Sequence, residues 1–137
     1  MKEDKKVLNF KTIAYWLTTG LLTFILLFSG IGALTKQDFL IEAMHNIDFP
    51  LYVMNILGTA YTLAAIAIIA PGFPRVKEWA YAGVVFAMIA AFASHVFIGD
   101  IFANMAPPLA ILFITVASYL LRPNNRKLVL QAKDNSL

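Results

Sequence analysis

Four stretches of this chain carry no charged side chain, and they limit its fold more than any other feature. Thr12 to Leu34, Leu51 to Ala70 and Trp79 to Ile98 each reach the length of about 20 apolar residues that a membrane-spanning helix needs. Pro107 to Leu121 is shorter, but two prolines fit the first turn of a helix, so this span is expected to begin near residue 104. The runs are apolar on every face, whereas barrel strands alternate over about 10 residues. The expected helices therefore cover about 12–34, 51–70, 79–98 and 104–121. The fold class that follows is all-α: an integral membrane, antiparallel four-helix transmembrane bundle.

Composition agrees. Of 137 residues, 60% are apolar and 14% charged, against about 45–50% and 25% in soluble domains. This excludes a soluble enzyme or a disordered chain, and the length fits one domain over 1–137. With no cysteine, thiolate chemistry, disulfides and Cys-based metal sites are ruled out. The first run exceeds the about 7–15 residues of a signal h-region, so it is expected to stay in place as a span.

Basic residues set the expected orientation. Lys2, Lys5, Lys6 and Lys11 precede the first span, Arg75 and Lys77 sit between the second and third, and Arg122, Arg126, Lys127 and Lys133 follow the fourth. With four spans these segments share one side, which then holds ten of the eleven Lys and Arg residues; Lys36 is on the other. The positive-inside rule places both termini, the short basic tails 1–11 and 122–137, in the cytoplasm. The expected location is a cell membrane, such as a bacterial inner membrane. The expected partners are the lipid bilayer and other membrane proteins or further copies of the chain, and not nucleic acid. Tyr15, Trp16, Trp79, Tyr81 and Tyr119 mark the inner boundary, and Phe49, Tyr52 and Phe97 the outer one.

Small and hydroxyl-bearing residues let spanning helices approach closely. Such stripes read Thr19, Thr23, Gly30, Ala33; Asn55, Thr59, Thr62, Ala65; Ala80, Gly83, Ala87, Ala91, Ser94; and Ile111, Thr115, Ser118. Polar groups at depth need a partner or a purpose. At 1.5 Å per residue, Ser29 lies about 7 Å inside the outer end of its span, Asn55 about 6 Å and His95 about 5 Å. Asp100 follows just beyond the third span, Ser94 adjoins His95, and Thr59 sits a turn deeper than Asn55. Ser29, Asn55, Thr59, Ser94, His95 and Asp100 thus form a candidate polar pocket near the outer face. His95 is its titrating member and Asp100 the group that would fix its tautomer. The competing reading is a hydrogen-bonded outer cap on the bundle. His45 with Asp48 does not make a metal site, and no metal, haem or flavin motif is present. Met44, Met54, Met88 and Met105 read as packing residues, and Glu78 as a surface charge.

The segments Phe49-Pro50-Leu51-Tyr52, Ile56-Leu57-Gly58, Pro71-Gly72-Phe73-Pro74-Arg75, Lys77-Glu78-Trp79-Ala80-Tyr81-Ala82-Gly83, Ala93-Ser94-His95 and Gly99-Asp100 resemble the DoxX-like family of small four-helix membrane proteins. Ser29-Gly30 and Leu121-Arg122-Pro123 also fit, so the resemblance spans about residues 12 to 127. It implies a four-helix membrane fold. The family takes its name from a subunit of a thiosulfate:quinone oxidoreductase, and its distant relatives include chaperone-like membrane proteins. The family pattern often has a Lys where this chain has Tyr61 and an Asp where it has Ala87. Both positions lie near the midplane, and both members of that pair are missing here.

Three functions are compatible with these features. The first is an accessory subunit of a membrane complex, linked to redox chemistry through a quinone near His95. With no electron carrier legible in it, such a chain needs partners and is not an autonomous enzyme. The second is a non-enzymatic scaffold or assembly factor. The third, a small transporter or proton path, fits less well, because no inverted repeat is visible and the midplane has no ionisable group except Tyr61.

Overall fold

The computed structural model describes residues 2–129. Five α-helices run in order: α1 (Lys2–Leu34), α2 (Asp38–Asn46), α3 (Tyr52–Ile69), α4 (Pro74–Phe97) and α5 (Phe102–Leu121), followed by a 3₁₀ turn at Asn124–Arg126. α1, α3, α4 and α5 are long and apolar enough to cross a membrane. They pack in a ring in which α1 touches α3 and α5, and α4 touches the same two helices.

The element bounds depart from the sequence expectation at four places. α1 begins at Lys2, so the N-terminal tail continues the helix. α4 begins at Pro74, whose ring suits the first turn, and follows Phe73 in a left-handed conformation. α5 begins at Phe102, which puts Pro107 and Pro108 in the second turn. The segment between the first two expected spans, Lys36 to Pro50, contains the nine-residue helix α2. Lys133 and the rest of the C-terminal tail from residue 130 lie outside the described residues.

The core is a seam of Leu22 and Leu26 from α1, Ala65 and Ile68 from α3, and Tyr81, Val84 and Met88 from α4. α1 and α3 approach most closely at two glycines. A Cβ on Gly58 would stand 2.9 Å from the Gly30 carbonyl oxygen, and one on Gly30 would stand 3.0 Å from the Gly58 oxygen. The expected stripe on α1 is indeed inward, with Thr19, Thr23, Gly30 and Ala33 all buried. On α3 the inward positions are Met54, Gly58, Ala65 and Ile68, so Asn55 and Thr59 point out of the bundle. On α4 they are Lys77, Tyr81, Val84 and Met88, which leaves Gly83 exposed. With apolar side chains all round these helices, hydropathy carried no information about their rotation.

α1, α2 and α4 each end in the same reciprocal backbone motif. The residue after the cap is left-handed, and two amides turn back onto the last carbonyls. Lys36, Asp48 and Gly99 hold the left-handed positions. At α4 the Gly99 amide bonds the Val96 carbonyl at 3.1 Å, and the Asp100 amide bonds that of His95 at 3.0 Å.

Candidate functional site

That turn builds the site. By bonding the Asp100 amide to the His95 carbonyl, it folds two residues five apart in sequence onto each other. Glycine fits the left-handed position without the Cβ penalty of other residues. The side chains meet with His95 Nδ1 2.7 Å from Asp100 Oδ2. Asp100 Oδ1 accepts the Ile101 amide at 2.7 Å and the Asn104 side-chain amide at 2.9 Å. These bonds, that from His95 first, hold the Asp100 carboxyl below its usual range. The neighbouring N-terminus of α5 also favours a carboxylate there. An ionised carboxylate only accepts, so His95 Nδ1 carries the proton and Nε2 is left for another partner.

His95 lines a cavity of about 280 Å³ to which all five helices contribute. Ser29 from α1 and Tyr61 from α3 are its other side-chain hydroxyl groups; most of the remaining wall is aliphatic or aromatic, including Leu57, Met88 and Ile111. α2 lines one side of it with Leu40 and Met44, joined by Ile47 just past its end, while Glu42, His45 and Asn46 face away. Leu40 reaches α1 at Gly32, where a Cβ would stand 3.0 Å from its Cδ1. The volume falls just below the about 300–1,000 Å³ usual for ligand pockets, and the mix of apolar wall and few polar groups is typical of them.

Of the six residues expected in the pocket, Ser29 and His95 line the cavity and Asp100 bonds His95. The other three are engaged elsewhere. Asn55 is exposed and accepts a bond from Lys36 Nζ at 2.7 Å, which ties the end of α1 to the start of α3. Thr59 bonds the Asn55 carbonyl, and Ser94 the Ala90 carbonyl, within their own helices. Depth along a helix was legible, but direction around it was not. The sequence singles out Tyr61 for the family pattern and as the ionisable midplane group, not as a pocket residue, yet both Tyr61 and Ala87 line the cavity.

A second polar cluster, at the opposite end of the bundle, was read in the sequence as separate surface charges. Lys77 is buried and donates to the Ala67 and Ala70 carbonyls at the end of α3. Arg126 donates to the Ile68 and Ile69 carbonyls there and lies over the Trp16 ring. Both cations thus cap a helix C-terminus, where the dipole is negative. Arg122 pairs with Glu78 at 2.8 Å and stacks over Tyr119, whose hydroxyl donates to the same carboxylate. Deeper in, Thr19, Ser118 and Tyr81 form a buried chain of hydroxyls from three helices, with both links at 2.7 Å. Every charged group in this cluster has a partner, so it reads as a clasp rather than a site.

Comparison with known proteins gives one match. No curated protein and no solved structure matches the chain. A family model described as the DoxX-like family matches residues 17–118, which include the His95–Asp100 turn and every residue that lines the cavity. This multi-pass membrane protein belongs to the DoxX-like family.

Proposed function

We propose that the chain is an accessory subunit of a membrane complex and that its cavity holds the ring of a quinone-class ligand. The observation that carries this reading is the placement of His95. It is oriented by an ionised carboxylate and lines an apolar cavity within the bundle. The residues present suit an apolar ring with oxygen substituents. The aliphatic wall would exclude water, Ser29 could hydrogen-bond a ring oxygen, and His95 could deliver or take a proton through Nε2. A quinone would supply the electron chemistry when bound. Electrons must reach it from a partner subunit, because the chain itself shows no carrier.

The spans run antiparallel in a cell membrane with both termini cytoplasmic, a reading supported by the basic side chains at the Tyr15 end. The His95 end would then open toward the outer leaflet. A single membrane domain covers 1–137.

Purification with native lipid, followed by mass spectrometry, tests the proposal. A quinone retained by the wild-type protein and depleted in His95→Gln is expected. Absence of any quinone, together with an unchanged respiratory quinone redox state in a deletion strain, would overturn it. If His95→Ala leaves all partners and phenotype intact, the scaffold reading takes its place.

A further inference from the structure

The His95 cavity shares part of its wall with a second space. Leu57, Tyr61 and Ala87, which line the cavity, also line a groove of about 380 Å³ along the α3–α4 seam. The groove exists because α4 turns Tyr81, Val84 and Met88 inward, so its small residues Ala80 and Gly83 face Ala64 of α3 across the seam. From Ala87 at the junction to Val76 at the far end, it follows eleven residues of α4, about 16 Å. Its walls are apolar apart from the Tyr61 hydroxyl and the indole of Trp79, which is 74% exposed beside the far end. The hydroxyls of Tyr15, Tyr81 and Tyr119 all have hydrogen-bond partners. Among the described residues those of Tyr52, which lines neither space, and of Tyr61, at the junction, have none.

A cavity with polar groups at one end, a junction carrying one free hydroxyl, and a narrow hydrocarbon-facing groove match the parts of a single amphiphile. We propose that the cavity and the groove form one site: the ligand's ring lies beside His95, and its isoprenoid chain passes Tyr61 and runs along the α3–α4 groove toward Trp79. This rests on the quinone-class reading of the cavity. The three shared wall residues, Leu57, Tyr61 and Ala87, favour the chain of the cavity's own ligand over an acyl chain of passing phospholipid.

Gly83 provides the test, because a Cβ there meets nothing within 4 Å and a larger side chain would fill the groove without disturbing the helices. The full chain in detergent micelles is titrated with a methoxylated benzoquinone lacking a chain and with the same ring carrying two isoprene units. Native mass spectrometry reads binding to wild type, Gly83→Leu and the control Gly20→Leu. Loss of about ten carbon–carbon contacts, each worth a fraction of RT, amounts to about a tenfold loss of affinity. Gly83→Leu should weaken the chain-bearing ring by about that factor and leave the chainless ring within about twofold, and Gly20→Leu should change neither. If both rings bind and Gly83→Leu affects them equally or not at all, the groove does not take the chain, while the cavity reading stands. If Gly83→Leu instead removes only a co-purifying phospholipid, the proposal is likewise overturned. If neither ring binds the wild type, the cavity reading has failed and the groove proposal with it.

Discussion

The same substitution, Gly→Ala, should have opposite signs at two pairs of glycines in this bundle. At Gly58 the added Cβ would stand 2.9 Å from the Gly30 oxygen and 2.9 Å from Leu34 Cγ. At Gly30 it would stand 2.5 Å from Thr62 Oγ1 and 3.0 Å from the Gly58 oxygen. Ordinary contact begins near 3.4 Å. The deficit is about 0.9 Å against the Thr62 hydroxyl and about half an ångström against backbone, which has no rotamer to escape into. The α1–α3 seam must therefore open by roughly that amount. A gap of about 0.5–1 Å forfeits a quarter to a half of each contact's attraction, and overpacking of a tight interface costs about 1–3 kcal/mol. Alanine returns about 0.5–1 kcal/mol of helix propensity relative to glycine. The net loss expected for Gly58→Ala or Gly30→Ala is about 1–2 kcal/mol. Gly20 and Gly83 have nothing within 4 Å of a Cβ, so only the propensity gain applies and stability should hold or rise by up to about 1 kcal/mol. The Gly30→Ala/Gly58→Ala double variant should lose less than the sum, because one opened seam relieves both clashes. Reversible unfolding in mixed micelles measures all five proteins. Equal shifts at all four sites, or a loss at Gly20 matching that at Gly58, would refute the close α1–α3 approach.

Three further outcomes follow from named contacts. Thr23 Oγ1 is buried without a hydrogen-bond partner, so Thr23→Val should be neutral or stabilise by up to about 1–2 kcal/mol in the same unfolding assay. Arg122 is 5% exposed and bonded to Glu78, whose side chain is 26% exposed. This places the pair between surface and interior, so Arg122→Gln should cost about 1–3 kcal/mol and Glu78→Gln less. Because the folded state lowers the Asp100 pKa, its contribution is fully present above the ordinary carboxylate value of 3.8 and is lost as pH falls through the lower, folded value. The stability difference between wild type and Asp100→Asn should therefore shrink in acid below that ordinary value; a difference that grows there would contradict the His95–Asp100 geometry.

Sequence and structure diverge where rotation and pairing matter. The four spans were legible because uncharged length alone decides them. The His95–Asp100 pair was legible because the spacing across Gly99 is local. Asn55 and Thr59 were misplaced because α3 is apolar all round, and one residue's step, about 100°, turns the buried Met54 into the exposed Asn55. α2 is absent from the expected helices although its signal is present: Leu40, Met44 and Ile47 recur at helical spacing in the segment between the first two spans. The clasp at the far end was missed for a different reason. Counting Lys77, Arg122 and Arg126 toward orientation treats each charge as solvated, whereas Lys77 and Arg126 cap α3 and Arg122 holds Glu78.

The central claim is that the space beside His95 receives a ligand. A structure determined in native-lipid nanodiscs tests it most directly. Elongated density is expected in the cavity, with its polar end within about 3.2 Å of His95 Nε2 and its other end passing Tyr61. A cavity collapsed beneath α2, or filled by protein side chains with His95 bonded only to Asp100, would contradict the claim and leave the pair as a structural cap on the bundle.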